Sequence, residues 1–361
     1  MSCSIKFHKC LPQDLAIESI DDILYRIGLS LDSVRDRPKR LKIFHPIIVF
    51  IVVLVFAMKE MTIFSLKESY SQWFPVLGSY GHLLGGIRRH LSLPLTLFSI
   101  LSLSSQLIYY YNERNGIKPT FLRVFQMMSG LVTPKSIGLT DEQHIRKLVK
   151  ITRCVSKLLY WNNNLIFPTT TFVISIIMYW LQLPNITAIE LIIYAVPNGL
   201  LLSIWSKYVW NIVDIQFFVF HIICLNLKFK INSLEERLKE LIKKRKYLRI
   251  REILQSFDSL YNEINEYNTT FWSKFLFVFW LSLGTYNVLF LYRIIFVLKN
   301  IVFRISFTYV LVFYLACFLA VIFTASSVNY SVNNSYKSLD SLFISYTKHI
   351  DYYFIQDFQL N

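Results

Sequence analysis

Aromatic rings and a few hydrogen-bonding groups gather at matching ends of four apolar stretches in this 361-residue sequence. Tyr179 and Trp180 close one stretch, and Glu190 and Tyr194 open the next. Tyr286, Asn287, Tyr292 and Arg293 lie in a third, and Arg304, Thr308 and Tyr309 in a fourth. Rings that stack on an apolar body, with a few polar groups that fix its orientation, suit the recognition of a small organic ligand. The same residue types also anchor helices at a membrane surface, where Tyr and Trp sit at headgroup depth and Arg293 and Arg304 snorkel. Pro197-Asn198-Gly199 interrupts one of these stretches, as a pocket wall or as a packing kink.

Catalytic and cofactor patterns do not compete with this reading. The sequence has no GxGxxG, phosphate loop, HExxH or GxSxG, so no enzyme and no cofactor is expected. Its seven histidines are scattered, as are Cys3, Cys10, Cys154, Cys224 and Cys317, which speaks against a metal site or a disulfide framework. The Gly-rich "GSYGHLLGGIRRH" at 78–90 lacks a preceding strand and reads as an extracellular turn.

The elements that must position the ring-bearing residues are membrane helices. Hydrophobic residues make up 54% of the chain and charged ones only 17%, where a soluble domain carries about a quarter charged. Mean hydropathy is +0.43. The apolar residues come in blocks, and a span needs about 20 of them. Six blocks qualify: 43–58, 92–111, 165–183, about 187–206, 272–297 and 301–328. The expected architecture is an all-α, polytopic fold with six transmembrane helices and long cytoplasmic helical extensions, and its most general partner is the lipid bilayer. A net charge of +15 would suit nucleic acid, but the cations sit in the loops between blocks, so no nucleic-acid partner is expected.

Lysine and arginine set the orientation. Segments 1–42, 112–164 and 226–271 carry eight, nine and ten; segments 59–91, 183–187 and 298–300 carry four, none and one. Rich and poor loops alternate, which places the amino terminus in the cytoplasm. The expected layout is therefore a cytoplasmic segment 1–42 and helices one to four over 43–225, with the loop 112–164 inside the cell. A cytoplasmic helical segment 226–271, helices five and six over 272–328, and a cytoplasmic amphipathic helix 329–361 follow. The stretch from Val209 through "KINSLEERLKELIKKRK" has no Gly or Pro, which predicts one long helix leaving the membrane, with Asp214 at or beyond the interface.

Two cytoplasmic stretches carry apolar stripes. Ile253, Phe257, Leu260 and Ile264 recur at helical spacing in one, and Leu339, Leu342, Phe343 and Tyr346 in the other. Each stripe must be buried, in a helical hairpin of one subunit or in a bundle shared among several.

With "FHIICLNLKFKINSLEERL" elongating the fourth span and "LQSFDSLYNEINEYNTTFWSKFLFVFW" leading into the fifth, the sequence resembles the arthropod gustatory receptors of the gustatory and odorant receptor superfamily. Leu254 to Phe257, and the "YNEINEYNTTF" run with Asn265 and Phe271, carry the likeness. So does "FLRVFQMMSGLVTPKSIGLTDEQHIRKLVK" at 121–150, which is similar to the loop between spans two and three in divergent, mite-like members. The resemblance implies a plasma-membrane chemosensory receptor with seven spans and an intracellular amino terminus. It implies a homo- or hetero-tetrameric ligand-gated cation channel, anchored by the cytoplasmic parts of helices four to seven, that senses small organic tastants. Its ligand pocket would lie in the outer half of the first six spans and its pore along the seventh. The family's seventh span ends in Thr-Tyr, several apolar residues, then Gln-Phe. Here Thr308-Tyr309 is followed by Tyr314 and Leu315 instead, and 329–361 matches the helix before the seventh span. The expectation is that the sequence stops short of a pore helix and that 1–361 alone passes no current. A polytopic transporter, or a non-conducting auxiliary subunit, is the alternative.

Overall fold

Nearly all of the described residues are helical, and none of them lies in a strand. The structure, a computed structural model, describes residues 39–67, 88–114, 141–182, 187–244, 250–269 and 301–359, with scattered positions within 69–78, 124–139 and 284–296. In order, these form α1 (Lys39–Ser65), α2 (Arg88–Arg114) and α3 (Glu142–Trp161), then a π turn (Asn162–Ile166) and α4 (Phe167–Gln182). A short α5 (Ala188–Glu190) and a second π turn (Leu191–Ala195) lead into α6 (Val196–Lys243), followed by α7 (Ile250–Tyr267) and α8 (Ile301–Gln359).

Local chemistry explains several boundaries. The Asp141 carboxylate accepts from the backbone N–H of Gln143 and His144 at 3.1 and 3.3 Å, an N-cap that opens α3. Thr187 and Glu190 exchange hydrogen bonds at the start of α5: the Thr187 N–H donates to Glu190 Oε2 at 3.0 Å, and the Glu190 N–H donates to Thr187 Oγ1 at 3.3 Å. This is a capping box. Beyond Gly199 no Gly or Pro interrupts α6, so the apolar block and the charged stretch after it make one 48-residue helix. The sixth apolar block and the amphipathic tail also share one helix, the 59-residue α8.

The chain divides into two units. The first comprises Met1–Leu122, Thr152–Phe218 and Lys274–Phe318; the second comprises Arg123–Ile151, Val219–Ser273 and Leu319–Asn361.

In the first unit α1 packs along α2. Val49, Val53 and Phe56 are buried on one side of α1, while Ile47, Ile51, Val55 and Met58 are about half exposed on the other. A helix that is apolar all round belongs in a large core or in lipid. The interior mixes polar with apolar side chains: Ser92, Thr96, Ser99, Ser102 and Ser105 of α2 are buried, as are Asn163, Ser175, Asn211 and Gln216, beside Phe98, Leu101, Trp205 and Val209.

Among the described residues two helices are long and apolar enough to cross a membrane, Ile47–Ser65 and Ile192–Lys243. Ser92–Ile108 is a shorter apolar helix. Residues 272–283 of the fifth expected span lie outside the described residues.

In the second unit Leu238 of α6, Ile253 and Phe257 of α7, and Leu339 of α8 form a buried cluster, with Leu234, Leu241, Leu254 and Tyr261 against it. The Lys230 ammonium donates to both carboxylate oxygens of Glu263 at 2.9 and 2.7 Å, joining α6 to α7. The Phe229 ring stacks on His144 at 4.8 Å.

Candidate functional site

Asn198 organises the most connected polar cluster of the first unit. Its Nδ2 donates to the Tyr194 carbonyl at 2.9 Å and the Val76 carbonyl at 3.2 Å, and reaches the Tyr179 hydroxyl at 3.5 Å. Three features of the local sequence put it there. The π turn over Leu191–Ala195 loosens the backbone ladder. Pro197 brings no N–H to that ladder, and the Asn198 side chain adds a donor one turn back, at the Tyr194 carbonyl. Gly78 holds the turn from Val76 in a left-handed conformation, φ +69°, and a Cβ there would run into the Asn198 side chain. Only glycine meets both conditions at once.

The wall behind this cluster is made by small residues. Ala195 and Gly199 are buried, and Ser203 Oγ donates to the Pro168 carbonyl at 2.9 Å. Ala195, which ends the second π turn, and Gly199 and Ser203 of α6 recur every fourth residue, the spacing that lets two helix backbones approach closely. A Cβ on Gly199 would sit 3.1 Å from Ser175 Oγ and 3.2 Å from the Phe172 ring of α4. Further along, Trp205 stacks on Phe56 at 4.5 Å, and its Nε1 donates to Ser99 Oγ at 2.8 Å.

The residues singled out from the sequence fall in different places. Tyr179 is fully buried and meets Asn198; Tyr194, half-buried, joins through its carbonyl. Trp180, the next residue along α4, is 71% exposed. Glu190 is exposed and serves as the capping partner of Thr187. Tyr292 is exposed, with its ring 5.3 Å from that of Phe296. Asn287 is half-buried, with its side-chain oxygen unpartnered. Thr308 is exposed and returns its hydroxyl to the Arg304 carbonyl of its own helix at 2.7 Å. Tyr286 and Arg293 lie outside the described residues, as does the side chain of Tyr309. The cluster thus unites Tyr179 and Tyr194 around Asn198, a residue the sequence presented within Pro197-Asn198-Gly199 as a pocket wall or a packing kink.

The candidate assembly residues are placed in the second unit. Ile253, Phe257 and Leu260 are buried and Ile264 is half-buried, all on α7. Phe343 is exposed, and the side chains of Leu342 and Tyr346 lie outside the described residues. Two contacts not evident from the stripes tie α7 to α8: Tyr261 stacks on Tyr336 at 5.1 Å, and its hydroxyl bonds Ser335 at 2.9 Å. Ser335 already donates to the Val332 carbonyl, so Tyr261 is the donor. Burial pushes the phenol up from its ordinary pKa, which keeps that proton in place.

Chemically, the Asn198 cluster offers a carboxamide and a phenol beside aromatic walls. The amide is engaged with the Tyr194 and Val76 carbonyls, and the set holds no nucleophile–base pair. Among the described residues no group of His, Cys, Asp and Glu could hold a metal ion. No protein-family profile, curated protein or solved structure matches the chain.

Proposed function

We propose that the chain is a multi-pass membrane protein of the gustatory-receptor type, a subunit of a ligand-gated, non-selective cation channel that senses small organic tastants at the plasma membrane. The observation that carries the membrane part is the polarity of the first unit, an apolar exterior around an interior that holds many polar side chains. Ile47, Ile51, Val55 and Met58 face outward while Ser99, Ser102 and Asn211 are buried. In water that distribution would leave a large apolar surface exposed and bury polar groups at a cost. In lipid both features are favourable. The six apolar blocks then serve as six spans, and the alternation of cations puts the amino terminus inside the cell. The receptor part rests on the resemblance in the fourth-span extension and the "YNEINEYNTTF" run, and on an aromatic cluster suited to a small ligand. The second unit, most of which (123–151, 226–271 and 329–361) the charge pattern assigns to the cytoplasm, is where homo- or hetero-tetrameric assembly would be anchored.

The test is calcium entry in cells that co-express this chain with a seven-span family member and are challenged with small organic tastants. The expected result is a response that depends on this chain, and a half-maximal concentration raised at least about tenfold by Tyr179→Ala, the effect of about 1.4 kcal/mol of lost contact. Substrate uptake without current would move the reading to a transporter. A response untouched by Tyr179→Ala and Asn198→Leu would remove the ligand site.

A further inference from the structure

We infer that the outward face of α3 binds a phospholipid of the inner leaflet whose headgroup carries more than one phosphate. Lys157 and Lys150 meet the phosphates, and Leu158 and Trp161 lie against the glycerol and upper acyl chains. The inference rests on the membrane part of the reading above and goes beyond it by assigning a lipid class and the residues that select it.

One unbroken helix carries the face. Trp161 and Phe167, on either side of the first π turn, both keep right-handed helical backbone, so α3 runs on into α4. Ile145, Leu148, Thr152, Ser156 and Asn163 are buried along one side. At about 100° per residue, the opposite side takes Lys147, Lys150, Cys154, Lys157, Leu158 and Trp161. All six are exposed. Further on, Leu165, Val173 and Ile177 are exposed in their turn. The face therefore changes character once along its length, from cationic to apolar, between Lys157 and Trp161. Trp161 is 59% exposed, with the Tyr160 ring beside it, and both are residue types that sit at headgroup depth.

Charge then selects the lipid. Arg146, Lys147, Lys150, Arg153 and Lys157 put five cations into one short stretch, and no Asp or Glu occurs from Gln143 to Ile189. Arg146 pairs with Glu142 at 2.7 Å, whereas Lys147, Lys150 and Lys157 have no ion pair among the described residues. A cluster of about four to eight cations immediately inside a span is the composition that attracts anionic lipids. At helical rise Lys157 lies about 6 Å to the cytoplasmic side of Trp161, within the headgroup layer, and Lys150 about 16 Å. The two lysines are thus about 10 Å apart along the same face. A headgroup with one charge in the phosphodiester layer meets Lys157 alone. A headgroup that carries further phosphates out from the surface meets both. Ammonium groups on flexible stems bind phosphate as point charges, so neither lysine needs a fixed orientation.

The experiment places the full chain in phosphatidylcholine nanodiscs at about 150 mM salt, doped with a lipid that bears a diazirine near the top of one acyl chain. The probe lipid is phosphatidylinositol bisphosphate, phosphatidylserine or phosphatidylcholine, and adducts are mapped by peptide mass spectrometry. The expected result is labelling of 158–166 by the bisphosphate probe at least about tenfold above the phosphatidylcholine probe, since each lysine near the surface contributes about a fivefold preference. Lys150→Gln combined with Lys157→Gln, both at exposed positions, brings that ratio to within about twofold of unity. Equal labelling by all three probes overturns the inference and leaves the membrane reading standing. So does a ratio that survives in the double variant, or phosphatidylserine labelling equal to that of the bisphosphate lipid. Labelling of 173–177 without 158–166 overturns it in favour of a second copy covering the face. No labelling of 158–177 by any probe overturns the membrane reading together with this inference.

Discussion

Glu263→Ala is expected to destabilise the second unit by about 3 kcal/mol, the lower end of what breaking a buried ion pair costs. The Lys230 ammonium is 10% exposed and gives two short hydrogen bonds to Glu263, which is itself 26% exposed. Removing the carboxylate leaves a charge that cannot reach water without moving the stem packed over Gly138. The change is read as lost amide hydrogen-exchange protection in α7, in the full chain. The companion double variant, Lys230→Met with Glu263→Leu, is expected to recover most of the loss, since two apolar groups of similar shape carry no desolvation debt. Equal destabilisation by the single and double variants would show that shape, not charge, holds α6 against α7.

Val55→Arg on the outward side of α1 carries the second large effect. Val55 is 50% exposed and near the middle of Ile47–Ser65. At an exposed site in water such a change falls within about 0.5 kcal/mol of neutral. In a bilayer an arginine near the helix centre costs about 2.5–3.5 kcal/mol. The unfolding free energy of the full chain in lipid nanodiscs is therefore expected to fall by about 3 kcal/mol. A shift near zero would place that face in water and remove the lipid reading of the first unit.

Both predictions rest on features that differ in how far the sequence exposed them. The three-and-four spacing of Ile253, Phe257 and Leu260 is a local property, so the face that becomes buried on α7 could be read directly. Its partners Leu238 and Leu339 lie on other helices, and no periodicity says which stripe meets which. The length of α6 was legible because nothing after Gly199 breaks a helix. The joining of the sixth block to the tail in α8 was not, because a change from apolar to amphipathic composition does not itself end a helix.

The ligand-site residues show a different limit. Charge alternation gives the depth of a residue along its helix but not its direction around the axis. Tyr179 and Trp180 are neighbours at the same depth, yet successive positions are about 100° apart, and one is fully buried while the other is 71% exposed. Asn198 was hidden for another reason: Pro-Asn-Gly reads as punctuation, and its role depends on a π turn and on Val76 and Gly78, far off in the chain. The same holds for Asp214, a conspicuous charge whose partner Asn163 sits in another π turn. The spacing of Ala195, Gly199 and Ser203 was available in the sequence as a close-packing signal, and it was obscured by the kink it overlaps.

The membrane assignment has one decisive measurement: spin-label accessibility along the outward faces of the first unit. Labels placed singly at Ile51, Val55, Ile177 and Leu200, all exposed, are compared with one at Arg146, an exposed position of the second unit. The account predicts that the first four collide readily with dissolved oxygen and poorly with a water-soluble nickel chelate, while the label at Arg146 shows the reverse. Ready collision of the chelate with the labels at Ile51, Val55, Ile177 and Leu200 would mean that these faces meet water, and would contradict the account.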